Sequence, residues 1–107
     1  MNHQIINKLK ELKPILKEKY GIEEFAVFGS VAKGLDTEKS DVDILVICPT
    51  SDNRRDLILN MYRAIDGMSL PTDILVLTPK EFELDRQIPG TIARPAWLEG
   101  KVLYERN

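Results

Sequence analysis

Cysteine is nearly missing from this chain: Cys48 is the only one among 107 residues. No internal disulfide can form, so stability has to come from a packed core, and a reducing, cytoplasmic setting is expected. A chain of this length can bury roughly two-thirds of its unfolded surface, which is enough for such a core. Cys48 closes an apolar run and reads as a small core residue rather than a reactive thiol. Histidine is equally scarce, with His3 standing alone near the first residue. No apolar run is long enough to span a bilayer, and the opening MNHQIINKLKELK is charged and amphipathic rather than leader-like. The 15 basic and 17 acidic residues give a net charge of −2 and are interspersed. That excludes the dense basic stripe of a dedicated nucleic-acid binder. No GxxxxGKS or GxxxxGKT run occurs, which rules out a Walker-type phosphate loop. Repeats, linkers and low-complexity tracts are also lacking, so residues 1–107 are expected to form a single domain.

What is present alternates between two periodicities. Ile5, Ile6, Leu9, Leu12 and Leu16 recur at three- and four-residue spacing and predict a helix over residues 4–19, with Gly21 as its stop. Pro14 inside this run should kink the helix or open a second short one. Glu23 to Phe28 reads as a strand ending at Gly29-Ser30. One helical turn at Val31–Lys33 is then closed by Gly34, and a polar loop covers Leu35–Ser40. Val42 to Cys48 is nearly continuously apolar, as in a strand covered on both faces. A helix over residues 53–66 follows, capped by Ser51 or Asp52, with Leu57, Ile58, Met61 and Ile65 on its apolar side. Thr72–Leu77 is the third strand. Pro79 opens a short helix containing Phe82, another spans Ala93–Glu99, and a brief strand at Val102–Tyr104 ends the pattern. Helices alternating with strands predict an α/β fold packed around one sheet, with strand directions left open.

The chemistry gathers in FGSVAKGLDTEKSDVDILV, residues 28–46. Strand alternation puts Asp41 and Asp43 on one face, about 6.6–7 Å apart along the backbone, at the mouth of a buried strand. Unpaired carboxylates there raise each other's pKa, and a divalent cation removes that cost. Oxygen donors with no histidine or thiol nearby favour Mg²⁺ or Mn²⁺ over zinc. Asp73 holds the equivalent early position of the third strand, and it joins the cluster if the second and third strands are neighbours. Three acids with two cations about 3.5–4 Å apart would suit in-line displacement on a triphosphate. Gly29 allows a sharp turn, Ser30 offers a hydroxyl and an N–H to a phosphate oxygen, and Lys33 could add positive charge. Each residue alone has an ordinary reading: Asp41 as a cap or turn residue, Gly29-Ser30 as a strand-ending turn, Asp73 as a loop acid and Lys33 as solvated. Only the combination is unusual.

Gly29-Ser30, the ten residues Val31 to Ser40, and then Asp41-Val42-Asp43 resemble the signature of minimal nucleotidyltransferase (MNT) domains, of the DNA polymerase β-like nucleotidyltransferase superfamily. The leading KELKPILKEKYG, TDILVLTPKEF and the tail IARPAWLEGKVLYE extend the resemblance over almost the whole chain. It implies a small mixed sheet with helices packed against it. It also implies Mg²⁺-dependent transfer of an NMP group, usually AMP from ATP, to a hydroxyl. By position, Asp41 and Asp43 would bind both metals. Asp73 would bind the catalytic metal and accept the attacking hydroxyl's proton, and Gly29 and Ser30 would hold the phosphates. Many members carry Arg where this chain has Lys33, which keeps the charge but loses the bidentate fork. Domains of this kind often pair with a HEPN-domain protein as its antitoxin, in some systems by adding AMP to a tyrosine of the toxin.

The expectation is therefore a nucleotidyltransferase that modifies a protein partner. The alternatives are a partner-binding antitoxin module without catalysis, or the same chemistry on RNA or a small molecule. Lys8, Lys10, Lys13, Lys17 and Lys19 read as a solvated helix face before they read as a basic patch. Trp97 reads as a packing anchor under the tail, and Met61 and Met68 as core filler.

Overall fold

The structure, a computed structural model, describes residues 3–34, 41–49, 53–67 and 71–105. The first helix, α1 (His3–Tyr20), runs unbroken through Pro14, so the alternative of a second short helix is not realised. Pro14 is exposed, and the stripe Leu9, Leu12 and Leu16 is buried to 1% exposure or less. Each of these leucines contributes about 2 kcal/mol by leaving water. Gly21, at φ 60°, turns the chain out of the helix and into strand β1 (Glu24–Phe28).

Helix α2 (Gly29–Lys33) begins at once and ends on Gly34 in the left-handed region. The expected loop at residues 35–40 lies outside the described residues. Strand β2 (Val42–Ile47) then crosses the middle of the molecule. Helix α3 (Arg54–Ile65) is capped by Asn53, whose Oδ1 accepts from the N–H of Asp56 at 3.3 Å. This corrects the expected cap at Ser51 or Asp52, which lie outside the described residues. Asn53 carries the same short acceptor and sits one position nearer. Strand β3 (Thr72–Leu77) falls where the sequence predicts it. Helix α4 (Pro79–Asp85) opens on a reciprocal cap in which Thr78 Oγ1 accepts from Glu81 N and Glu81 Oε1 from Thr78 N. Helix α5 (Ala93–Glu99) and strand β4 (Lys101–Glu105) complete the order.

The sheet order is β3-β2-β1-β4. Strand β1 runs antiparallel to both β2 and β4, whereas β2 and β3 are parallel, so the sheet is mixed. Alternation divides the core in two. Phe25, Val27, Ile44 and Val46 pack with α1 and α3 on one face, and Phe28, Leu45 and Ile47 pack with Phe82, Ala93 and Ala96 of α4 and α5 on the other. Burial of β2 on both faces explains its nearly unbroken apolar run. Cys48 is 1% exposed, and its Sγ donates to the Tyr20 carbonyl at 3.2 Å. Burial, with Glu23 beside it, pushes this thiol up, which suits a core residue. Met61 is fully buried as expected. Trp97 is not the buried anchor expected: it is 43% exposed, with the Arg86 guanidinium 5.0 Å above its ring. Ala93 and Ala96 take the inward face of that short helix, leaving Trp97 on its outer side.

Candidate active site

The topology brings three strand ends to one rim. Strand β1 arrives there with its last residue, Phe28, paired to Asp43. Strands β2 and β3 leave the same rim side by side, with Asp43 paired to Asp73. Parallel neighbours in register point paired residues to the same face, so the two carboxylates emerge together. Asp41 lies one residue before β2 and is exposed, Asp73 is exposed, and Asp43 is half-buried. The condition set by the sequence, adjacent second and third strands, is met.

Gly29 is the residue against which Asp43 packs. Its φ of +73° belongs to the left-handed region, and a Cβ built there would fall on Asp43 Oδ2, with Asp43 Cγ only 3.1 Å away. Two independent requirements therefore disfavour a side chain at this turn. Asp43 is held above the ordinary carboxylate range by burial first, then by Asp73 and by Asp41. Ser30 follows Gly29 in the first turn of α2 and is half-buried. Lys33 turns elsewhere: its Nζ forms a 2.8 Å ion pair with Glu99 Oε2 of α5.

A cleft of about 340 Å³ opens beside the acids, lined by Phe28, Asp43, Asp73, Ile74, Leu75 and Ile92. One side is anionic and the other apolar. Alternation alone puts Leu75 on the face of Asp73, whereas Phe28 joins them through its ladder pairing with Asp43, which no local pattern states. Ile92 was not accessible to sequence reasoning, since it comes from the irregular segment before α5. Among the described residues, no three His, Cys, Asp or Glu side chains form a ready-made cage for a metal ion. The donor set nevertheless fits Mg²⁺, which keeps several waters and is commonly bound by one or two carboxylates together with substrate phosphates.

A family model described as a nucleotidyltransferase domain matches residues 9–99. The chain belongs to the nucleotidyltransferase domain family. A candidate nucleotidyltransferase from Sulfolobus solfataricus, known from its crystal structure, superposes with a TM-score of 0.68 at 25% identity, covering 96% of this chain and 84% of that one. A chain of a toxin–antitoxin complex with AMP-PNP has the same fold, with a TM-score of 0.56 at 22% identity over 99% of this chain and 76% of that one. A Methanocaldococcus jannaschii protein whose name marks it as a candidate protein adenylyltransferase is 54% identical over 43 residues, 40% of this chain and 44% of that relative. A second such protein from the same organism is 53% identical over 38 residues, 36% of this chain and 38% of its own. The match thus spans less than half the length of these curated relatives. No helix among the described residues is long and apolar enough to cross a membrane.

Proposed function

We propose that residues 1–107 act as one nucleotidyltransferase domain that moves AMP from ATP onto a hydroxyl of a partner protein, as the antitoxin of a HEPN-type toxin. The observation that carries this reading is the register pair Asp43–Asp73 beside the Gly29 turn. The names of the M. jannaschii relatives support protein adenylylation, and the shared fold with the AMP-PNP-bound toxin–antitoxin complex is compatible with a nucleotide and a toxin partner.

In this reading Asp41, Asp43 and Asp73 would hold Mg²⁺. When bound, it supplies neutralisation of the triphosphate and of the charge on the attacking and leaving oxygens. Gly29 leaves room for the Asp43 carboxylate and for a phosphate to approach the backbone, and Ser30 donates to a phosphate oxygen. Asp73, the more exposed member of the register pair, accepts the proton of the attacking hydroxyl. A bond forms from that oxygen to the α-phosphorus as the bond to the β-phosphate oxygen breaks, and pyrophosphate leaves. Phe28, Leu75 and Ile92 give this side of the cleft an apolar wall against which the nucleotide can pack. Lys33, paired with Glu99, would have to exchange partners to reach a phosphate.

The test is incubation of the protein with α-labelled ATP, Mg²⁺ and the proposed partner protein. Label should appear on the partner with the wild-type protein and not with Asp43→Asn. Equal labelling by both would refute the assignment.

A further inference from the structure

Strand β3 carries Asp73 on the edge of the sheet, where half of its backbone groups face no strand among the described residues. The ladder shows which half. Val42 N–H donates to Pro71 O and Cys48 N–H to Leu77 O, at 2.9 and 3.0 Å, so the odd-numbered residues of β3 face β2. Ile74 N–H and Val76 C=O consequently face outward. Buried or half-buried backbone groups of this kind need partners, and α3 supplies them. Tyr62 Oη accepts from Ile74 N–H at 2.8 Å, and Arg54 Nη1 donates to Val76 O at 3.5 Å. Arg54, Ile58 and Tyr62 recur every four residues, one stripe of α3 laid along β3.

The two contacts differ in what they hold. Arg54 grips the exit of β3, and its guanidinium also pairs with Glu81 at 2.8 Å in the cap of α4. Tyr62 grips the entrance, on the peptide that joins Asp73 to Ile74. A phenol packed against the main core therefore fixes the orientation of the peptide plane from which the Asp73 side chain departs.

We infer that Tyr62 is a positioning residue: its hydroxyl, through Ile74 N–H, holds Asp73 in register beside Asp43. The inference rests on the proposed nucleotidyl transfer for its kinetic consequence, but not for its structural one. Misplacing a reacting group by about 1 Å can cost up to about a hundredfold in rate. Loss of the Tyr62 hydroxyl therefore lowers kcat while leaving the KM for ATP nearly unchanged, because nucleotide binding does not depend on that one carboxylate alone.

The experiment compares wild type, Tyr62→Phe and Arg54→Ala by amide hydrogen exchange and by steady-state label transfer. In Tyr62→Phe, exchange at Ile74 should rise and kcat should fall by at least about tenfold, with the KM for ATP within about twofold. Arg54→Ala, which loosens the same strand at its far end, should keep kcat within about twofold. Unchanged Ile74 exchange in Tyr62→Phe would overturn the clamp. Faster exchange with full kcat would overturn the positioning role. Should the wild-type protein transfer no label, the proposed function fails. Tyr62 is then judged on the Asp73 backbone shifts in the same samples: their displacement in Tyr62→Phe supports the inference, and their constancy refutes it.

Discussion

Alanine at Gly29 is the substitution whose cost the structure apportions most cleanly. Gly29 and Gly34 bracket the same short helix at nearly the same backbone angle, φ +73° and +74°. Among the described residues a Cβ at Gly34 meets nothing within 4 Å, whereas one at Gly29 runs into the Asp43 carboxylate. Gly34→Ala therefore reports the left-handed backbone penalty alone, about 1–2 kcal/mol. Gly29→Ala carries that penalty plus the cost of forcing a packed side chain aside, about 1–3 kcal/mol more. The assay is urea unfolding of the metal-free protein, with Asp43→Ala as a second background. Removing the carboxylate should erase the excess at Gly29 and leave Gly34→Ala unaltered, a coupling of at least about 1 kcal/mol between positions 29 and 43. Equal costs at the two glycines, or an excess that persists without Asp43, would refute the packing of this carboxylate on the turn.

Other outcomes follow from the same geometry. Asp43 is raised above its unfolded value of 3.8, so the folded state binds the extra proton. The stability gained from that proton is full below the unfolded pKa and is lost as pH rises through the folded one. Asp43→Asn should accordingly make the metal-free protein more stable than wild type at pH 7, and it should flatten the decline of the urea midpoint as pH rises through that window. A less stable variant would contradict this. Mg-ATP should raise the melting temperature of the wild-type protein by mass action, about 2.7 kcal/mol at a hundredfold excess over Kd, and Asp43→Asn should lose most of that shift. Thr78→Ala removes one half of the reciprocal cap on α4 and should cost about 1 kcal/mol in chemical denaturation.

Much of this arrangement was legible in the residues. The helical spacing of Leu9, Leu12 and Leu16, the unbroken apolar run after Asp43, and the Thr72–Leu77 segment each lead to the observed element, because burial on one or both faces leaves a direct periodic mark. The site was legible as a conditional: Asp73 mattered only if β2 and β3 were neighbours, and no local pattern states strand adjacency. The alignment of Asp43 with Asp73 is a fact of the parallel ladder. Three features had no such mark. Asn53 competes with Ser51 and Asp52 as a cap, and all three carry an acceptor at a suitable place. Trp97 looks like core by chemistry, but the small residues Ala93 and Ala96 fill the inward face of α5. Lys33 and Glu99 are far apart in sequence, so their ion pair emerges only when α2 meets α5.

The central claim is that a register pair of carboxylates beside a glycine turn performs nucleotidyl transfer. Its most direct measurement is transfer of label from α-labelled ATP to the proposed partner protein, using Asp73→Asn with melting temperature and Mg-ATP affinity recorded on the same samples. Asp73→Asn should fold, still bind nucleotide and transfer no measurable label. Transfer at the wild-type rate by Asp73→Asn would contradict that claim.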